Sequence, residues 1–363
     1  MTNYFLINTL ALVTSILMLI FSFFVISQRK GRKLSSILLS FFLLSNSLYI
    51  IDFILPTIED LLKISLDWFH QIGFAFGFLF GPLIYLFICS ITKKNYKLSL
   101  KESWHFILFV IVFIVVISKT YIAWEIVYAI LDLQLFPYLI MCVIVIRNYR
   151  NEIKEYYSYI DKINLTWLLY VVVGFFLMWF IDLVNFVLLE VGVDNIYLMN
   201  DLTFISILIN FIFAILIFYK ALQQPQFLFD LTDDMKIHKY ESSKLSREEK
   251  EEFLKKIEDY FVNEKPYLNP SLTIKDVADA TNINSKYISQ VINESLNKNF
   301  YDFINSYRVK EAMEQLLING GKEKTILEIL YDSGFNSKSA FNTAFKKNTG
   351  FTPTEFRHQN ITA

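Results

Sequence analysis

The chain has 363 residues, 54% of them hydrophobic, with a mean hydropathy of +0.40 and a formal net charge of −1. It is more apolar than a typical soluble protein, and its balanced charge excludes binding of nucleic acid through an overall basic excess. The two cysteines, Cys89 and Cys142, lie in apolar runs, and no Cys/His cluster in the sequence has the spacing of a zinc site. We therefore expect neither a disulfide nor a bound metal.

The first 220 residues consist mainly of apolar runs. Most of these runs approach the ~20 residues that a helix needs to cross a bilayer, where backbone groups must bond within the helix. The fourth run is short, and its boundary with the fifth is the least defined. The pattern predicts a sensor domain over residues 1–220, built as a bundle of about seven transmembrane helices. The runs cover residues 4–26, 34–55, 66–91, 104–118, 124–146, 166–190 and 199–219.

Basic residues alternate between the loops that join these runs. Basic loops face the cytoplasm in membrane proteins, and the loops after the second, fourth and sixth runs contain few Lys or Arg. The pattern therefore predicts a multi-pass protein with its N-terminus outside and its C-terminal region in the cytoplasm. The basic residues are Arg29, Lys30, Arg32 and Lys33 after the first run, Lys93, Lys94, Lys97 and Lys101 after the third, and Arg147, Arg150, Lys154 and Lys162 after the fifth.

Polar side chains inside the apolar runs are candidates for a sensor pocket. Asp132 lies in the fifth run, and Asp182 and Asn185 lie about one helical turn apart in the sixth. Such groups are costly in lipid and tend to face the bundle interior or a cavity. They would either bind an unknown ligand or form hydrogen bonds between helices. The sequence leaves both interpretations open.

Other classes of seven-helix protein, and enzymes, lack support. A retinal protein needs a buried lysine in its last helix, and the last run contains none before Lys220. A transporter would favour matching halves, which the sequence does not show. The sequence also has no P-loop, glycine-rich nucleotide loop, HExxH or GxSxG motif. We therefore expect no catalysis and no cofactor.

The composition changes after Lys220. Residues 221–245 are polar and lack helical periodicity, which predicts a juxtamembrane linker. Ser246 and Glu249 then form a capping box that starts an amphipathic helix. The remaining residues, 246–363, are predicted to form a soluble helical domain, so the whole chain is expected to be all-α.

Two similar helix-turn-helix units follow within this domain. In the first, LTIKDVADATNINSKYISQVINESL, the second helix starts after Asn284. In the second, KTILEILYDSGFNSKSAFNTAFKKNTG, Gly334 ends the first helix, Phe335 fills the corner and Asn336 caps the next helix. The apolar periodicity leaves a set of polar side chains facing outward from the second helix of each unit. They are Ser285, Lys286, Ser289, Gln290 and Asn293 in the first unit, and Ser337, Lys338, Ser339, Asn342 and Thr343 in the second.

These residues resemble the AraC/XylS family of bacterial transcription regulators over about Leu272–Arg357. The resemblance is strongest in SGFNSKSAFNTAFKKNTGFTPTEFR, which has the family's Gly-Phe, Phe, Phe-Lys, Gly, Thr-Pro and terminal aromatic-Arg at the family's spacing. The first unit departs from the pattern, because Asn297 stands where the family usually has Gly, and Ile292 and Asn293 replace its usual Phe-Lys. Membrane helices followed by this domain also resemble membrane-embedded regulators of the family.

The resemblance implies two units joined by a long helix near Tyr301–Asn319, so that one chain reaches two successive major grooves of double-stranded DNA. Side chains at the start of a recognition helix contact base edges, and nearby basic side chains contact phosphates. By motif position, the implied base readers are Lys286, Ser289 and Gln290 in the first unit and Lys338, Ser339, Asn342 and Thr343 in the second. The predicted phosphate contacts are Lys346, Lys347 and Arg357.

The sequence as a whole therefore predicts a membrane-bound one-component transcription regulator of the bacterial inner membrane. Its partners would be promoter or operator DNA, the lipid bilayer, an unknown ligand or membrane signal, and, as a further option, a second copy in a homodimer. Charges from Pro270 onward nearly balance, which favours an alternative: a membrane receptor whose C-terminal domain is a protein-interaction module. The sequence leaves open the signal, the operator, activation or repression, and release of the domain by proteolysis.

Overall fold

The computed structural model describes residues 2–27, 33–93, 96–118, 123–161, 163–193, 195–223, 245–317 and 324–361. Within these ranges the chain forms sixteen α-helices and short 3₁₀ helices, and no strand. The chain divides into two compact units, one of Met1–Arg147 with Thr166–Asp234 and one of Asn148–Leu165 with Met235–Ala363. Parts of three predictions lie outside the described residues: the basic side chains Arg29, Lys30, Arg32, Lys94 and Lys162, residues 224–244 of the predicted linker, and residues 318–319 of the predicted joining helix.

The first unit is a bundle of long apolar helices. Among the described residues, seven helical stretches are long and apolar enough to cross a membrane, as predicted from the sequence: Phe5–Ser27, Lys33–Ile51, Phe69–Thr92, Leu100–Ile117, Glu125–Ile153, Thr166–Glu190 and Ile196–Lys220. The helices are α1 (Thr2–Ser27), α2 (Lys33–Ile51), α3 (Leu55–Leu62), α4 (Asp67–Phe76), α5 (Phe80–Thr92), α6 (Ile107–Ile117), α7 (Trp124–Ile153), α8 (Thr166–Glu190) and α9 (Ile196–Gln223). A 3₁₀ turn joins α4 to α5, and a 3₁₀ helix precedes α6.

Several bounds differ from the sequence prediction, among them those of the second and fifth runs. The second apolar run does not continue as one helix to residue 55, because α2 ends at Ile51 and the chain turns into the short helix α3. Helix α7 continues past residue 146 to Ile153, because the basic stretch after the apolar run retains helical hydrogen bonding. Its last residues belong to the second compact unit.

Serine pairs hold several of the apolar helices together. The hydroxyl oxygens of Ser15 and Ser47 lie 2.9 Å apart, and those of Ser22 and Ser40 lie 2.8 Å apart, so α1 and α2 are joined at two levels. Small hydroxyl side chains let helices approach closely and form hydrogen bonds that lipid cannot offer. The first unit is therefore stabilised by specific polar contacts as well as by apolar packing.

The second unit is a helical domain with two hydrophobic cores. Its helices are α10 (Arg247–Glu264), α11 (Ile274–Thr281), α12 (Ser285–Leu296), α13 (Phe300–Leu317), α14 (Ile326–Asp332), α15 (Lys338–Thr349) and α16 (Pro353–Ile361). Phe300, Phe303 and Ile304 of α13 pack into the first core, and Val309, Ala312 and Leu316 pack into the second. A single helix therefore joins the two helix-turn-helix units, close to the position predicted for it.

Polar caps define where the helices of the second unit begin. The capping box predicted at Ser246 and Glu249 is present, and Thr273 and Thr325 form equivalent boxes at α11 and α14. The prediction that Asn336 caps α15 is wrong. The Ser337 hydroxyl accepts the Ala340 N–H at 3.2 Å, because the chain enters the helix one residue later than expected.

Candidate nucleic-acid interface

The polar face of α15 is open. Ala340, Phe341, Ala344 and Phe345 point into the second core, and this orientation leaves the opposite face of the helix free. All four predicted base readers of this unit are exposed, as is the predicted phosphate contact Lys346: Lys338, Ser339, Asn342, Thr343 and Lys346. Asn342, Thr343 and Lys346 also line a surface depression of about 370 Å³, together with Lys347 and Thr352. These side chains can donate and accept hydrogen bonds on one continuous surface.

Gly334 positions this helix. The chain leaves α14 through a Schellman turn, in which the Phe335 N–H donates to the Leu330 carbonyl and the Gly334 N–H donates to the Tyr331 carbonyl, both at 3.0 Å. Gly334 has a φ of +87°, and a Cβ at this position would lie 2.3 Å from the Tyr267 carbonyl oxygen. Only glycine satisfies both requirements. The Gly-Phe pair of the motif therefore sets the angle between the two helices of the second unit.

Two predicted phosphate contacts have partners inside the domain. The Lys347 ammonium lies 2.8 Å from the Asp302 carboxylate, which ties α15 to α13. The Arg357 guanidinium donates to the Lys324 carbonyl at 2.8 Å, and its Nε is buried with no hydrogen-bond partner among the described residues. Contact of Lys347 and Arg357 with DNA remains a prediction, and for both it would compete with these intramolecular contacts.

The first recognition helix, α12, has the expected core face. Asn284 caps it by accepting the Lys286 N–H at 3.0 Å, and Ile288, Val291 and Ile292 are buried. The outward face differs from the prediction, because Ser289 is 8% exposed and Gln290 is 7% exposed. Both side chains therefore lie under other parts of the domain, and the expectation that they face solvent is wrong. Their role as base readers stays a prediction.

Helix α10 covers one side of α12. The Gln290 amide donates to the Glu294 carboxylate at 3.0 Å, and Glu294 in turn lies 2.7 Å from the Lys250 ammonium. These contacts lower the pKa of Glu294, the hydrogen bond from Lys250 most and that from Gln290 next. The Phe253 ring packs against Tyr287 at a centroid distance of 6.0 Å. Helix α10 is therefore a lid on the first recognition helix.

A second cover comes from residues 154–161, which we call the loop segment. It follows α7 in the chain and belongs to the second compact unit. The Ser289 hydroxyl and the Asn293 amide both donate to one carboxylate oxygen of Glu155, at 3.0 and 2.8 Å. A carboxylate therefore occupies the polar face of α12.

Backbone contacts hold the loop segment in place. The Tyr156 carbonyl accepts the Ile274 N–H at the start of α11, and the Lys154 carbonyl accepts the Tyr301 N–H at the start of α13, both at 2.9 Å. The first N–H groups of a helix have no partner within the helix, so these bonds satisfy two otherwise free donors. Tyr157 and Thr273 form an isolated antiparallel bridge. The segment is thus bound along its length.

The buried side chain of Arg308 holds the loop segment through hydrogen bonds to Ser158. It is 2% exposed and donates to the carbonyls of Tyr267 and Asn269 at 2.8 Å, to the carbonyl and hydroxyl of Ser158 at 3.0 and 3.1 Å, and to the Asn305 side chain at 3.4 Å. Burial lowers the pKa of Arg308 to about 10, so the side chain remains charged at neutral pH. Its guanidinium joins α13, the 266–269 turn and the loop segment.

Sequence reasoning missed Glu155, Ser158 and Arg308. The sequence did contain a signal for a buried Arg308, because Ile304, Arg308 and Ala312 recur at a spacing of four on one face of a helix. A charged residue at such a position indicates a buried polar network. No comparable pattern identified Glu155 or Ser158, because their role depends on a contact between segments more than 110 residues apart in the chain.

The predicted sensor residues lie on α7 and α8. Asp132 is half-buried, and its backbone carbonyl accepts the Trp179 indole N–H at 3.0 Å. Asp182 has an exposed side chain, whereas the Asn185 side-chain oxygen is buried with no hydrogen-bond partner among the described residues. A cleft of about 350 Å³ between the two helices is lined by other residues, namely Glu125, Ile126, Ala129, Ile130, Leu133, Phe186 and Glu190. The sensor pocket therefore remains a prediction.

Comparison with known proteins supports the assignment of the C-terminal domain. Residues 277–359 match a family model described as a helix-turn-helix domain. Over 93 residues the chain is 31% identical to the transcriptional regulatory protein YesN of Bacillus subtilis, and the match covers 25% of each chain. Over 94 residues it is 31% identical to an HTH-type transcriptional regulator in the cgkA 5' region of Pseudoalteromonas carrageenovora, covering 26% of this chain and 53% of that protein.

A third relative has a similar level of identity. The melibiose operon regulatory protein of Escherichia coli K12 is 29% identical over 87 residues, which cover 24% of this chain and 28% of that protein. The chain thus spans from a quarter to about half of the length of these relatives, and no solved structure matches it significantly. The C-terminal domain of this chain, which contains both helix-turn-helix units, is a helix-turn-helix domain of the AraC type.

Proposed function

We propose that the chain is a membrane-bound one-component transcription regulator, in which a transmembrane sensor controls sequence-specific DNA binding. The observation that carries the proposal is the open polar and basic face of α15 on an AraC-type domain, in a chain that also contains seven helices apolar enough to cross a membrane. DNA-binding transcription regulation is supported by the relatives, and the membrane-bound sensor is our extension of it.

Helix α15 is the main reader of bases in this proposal. The major groove admits an α-helix and presents a distinct pattern of donors and acceptors for each base pair. Asn342 suits paired hydrogen bonds to adenine, and Lys338 suits the acceptors of guanine, while Ser339 and Thr343 contact either. Lys346, on the same exposed face, neutralises a phosphate. Helix α12 would read the next major groove through Lys286, Ser289 and Gln290.

The first unit of the chain supplies the sensor. Its helices would lie in the bacterial inner membrane with the N-terminus outside, so that the C-terminal domain reaches the chromosome. Asp132, Asp182 and Asn185 are the proposed sites of the signal, and the unpartnered oxygen of Asn185 supports a polar ligand near α8. Fusions of an enzyme active only outside the cytoplasm, placed after residue 192 and after residue 363, would test this topology. We expect activity from the fusion after residue 192 and from a further fusion after Ser65, and none from the fusion after residue 363.

A second candidate function has specific support. The cover on α12 and the nearly balanced charge of the domain favour a membrane receptor whose C-terminal domain binds another protein. The exposed readers of α15 argue against it, because a protein-interaction module has no need of lysine and short polar side chains at the start of that helix. A regulator is expected to bind a defined DNA sequence, whereas a protein-interaction module is not.

The deciding experiment is selection of duplexes from a random DNA pool by the full chain in lipid nanodiscs. We expect enrichment of a defined sequence, with affinity that falls steeply as salt rises because bound phosphates release counterions. The chain is better suited than an isolated domain, since the loop segment packs into the domain from an earlier part of the sequence. Folded protein that enriches no sequence even at low salt would support the interaction module instead.

A further inference from the structure

The first recognition helix and the loop segment share one surface. Ser289 and Asn293, on the polar face of α12, both donate to Glu155. Asn293 stands where the resembled family usually has Lys, so the departure from the family pattern supplies one of the two hydrogen bonds. A lysine there would favour a phosphate, whereas the amide here binds a carboxylate of the same chain.

DNA and the loop segment cannot occupy this surface together. Base readout needs direct contact of Ser289 with a base edge, and Ser289 is buried with its hydroxyl donated to Glu155. The carboxylate also carries the same charge as the DNA backbone, so it repels the approaching groove. The open α15 has no such cover among the described residues.

The loop segment has a direct covalent route to the apolar helices. It lies between the end of α7 at Ile153 and the start of α8 at Thr166, both of which are among the seven membrane-length helices. A change in the spacing or rotation of α7 and α8 therefore pulls on residues 154–161 first. The contacts that would break are the part-buried hydrogen bonds of Glu155 and the buried ones between Ser158 and Arg308, whose donors water reaches once the segment has left.

We propose that the loop segment is a gate on the first helix-turn-helix unit: docked, with Glu155 on α12, it leaves only the second unit free to read DNA, and released, it allows both units to bind. This inference rests on the proposed function, since it assigns the regulation of the same DNA-binding domain. The gate converts binding at one half-site into binding at two, which raises both affinity and specificity.

A pair of carboxylate substitutions tests the gate. Glu155→Ala removes the group that binds Ser289 and Asn293, while Asp161→Ala removes an exposed carboxylate from the same segment. In nanodiscs, with DNA selected as above, we expect Glu155→Ala to bind about tenfold more tightly and to protect an additional half-site. Asp161→Ala should match the unmodified chain. Equal gains from both variants would mean that only charge had changed, and would overturn the gate.

A reversible disulfide gives the sharper test. Tyr157 and Thr273 are paired directly in an antiparallel bridge, at a separation that suits a disulfide. The double variant Tyr157→Cys with Thr273→Cys is made in the Glu155→Ala chain, whose segment the gate would leave released, with Cys89 and Cys142 replaced by Ala, and it is compared with itself before and after reduction. This comparison cancels any effect of losing the Thr273 cap.

Three outcomes are distinguishable. Protection of one half-site when oxidised and two when reduced supports the gate. Protection of both half-sites by the oxidised chain overturns the gate and leaves the proposed function intact. Loss of all sequence-specific binding in every variant, with the chain folded, overturns the proposed function and the gate with it.

Discussion

The two helix-turn-helix units of this chain have the same local architecture and different surroundings. In both, a capping box starts the first helix, and an apolar face buries the second helix in its own core. In the second unit the polar face of α15 is exposed, whereas in the first Ser289 and Gln290 lie beneath α10 and the loop segment. The motif therefore determines the fold of a recognition helix but not whether that helix is free to bind.

The cover on the first unit is built from distant parts of the chain. Glu155 comes from the segment between α7 and α8, and Lys250 comes from the helix that precedes the motif. Neither belongs to the helix-turn-helix pattern. Contacts from outside a helix-turn-helix pattern can therefore cover one of two similar recognition helices. Four experiments test this difference between the two units.

The largest effect is expected at the open helix. The double change Lys338→Ala with Asn342→Ala removes two exposed side chains of α15 that we propose as base readers. It should weaken sequence-specific binding at least about 30-fold, since each base contact contributes about 1–3 kcal/mol. Binding curves of the full chain on the selected duplex measure it. Lys310→Ala, an exposed lysine on α13, is the matched control and should lower affinity only slightly. A similar loss in both would show that α15 does not read sequence.

The second-largest effect is expected from substitution of Gly334, the glycine that orients α15. Gly334→Ala should destabilise the C-terminal domain by about 2–4 kcal/mol, because a Cβ would meet the Tyr267 carbonyl and φ is positive. Gly350→Ala is the control: its φ is +83°, but nothing lies within 4 Å of a Cβ, so only the backbone cost of about 1 kcal/mol applies. Chemical denaturation followed by far-ultraviolet circular dichroism compares the free energies of unfolding of the two variants. Equal losses would contradict the close approach described here.

A matched pair of serines compares the units directly. Ser339 is exposed on α15, whereas Ser289 is 8% exposed on α12. We expect Ser339→Ala to weaken DNA binding by about threefold to tenfold, and Ser289→Ala to change it by less than about twofold while the cover is present. If Ser289→Ala weakened DNA binding more than Ser339→Ala, the two units would not differ as described, because α12 would then already contact DNA.

The smallest effect concerns the lid formed by α10. The hydrogen bond from Lys250 is the main cause of the lowered pKa of Glu294, so Lys250→Ala should raise that pKa towards the ordinary value of 4.5. The group is an acid whose folded-state pKa is depressed, so the stability it contributes is present above its unfolded pKa and is lost as pH falls through the folded value. Titration of the glutamate side chains by NMR gives the answer. An unchanged Glu294 pKa in the variant would mean that α10 does not cover α12 in solution.

Much of the architecture follows from local pattern. Seven apolar runs of sufficient length predicted seven membrane-length helices, and the spacing of Phe335, Phe341 and Phe345 predicted the core of the second unit. Both signals are periodic and local, so packing elsewhere in the chain does not alter them. The exposure of the predicted readers on α15 was predicted correctly for the same reason.

Other features needed the packed structure. The pattern placed Asn336 as the cap of α15, where Ser337 serves instead, because the choice between neighbouring polar residues depends on the exact exit angle from the Gly334 turn. The sensor residues Asp132, Asp182 and Asn185 were chosen for polarity in apolar helices, a property that says which groups are costly in lipid but not which of them line a cleft.

Residues a few positions apart were enough to predict the helices, their apolar faces, the caps at Ser246 and Asn284 and the AraC type of the C-terminal domain. Only the tertiary structure decided that the segment after α7 joins the DNA-binding unit and that Glu155 and Arg308 hold it there. Contacts between residues more than 100 positions apart leave no periodic trace in a single sequence. The availability of the first recognition helix is therefore a property of the packed chain and not of its motif.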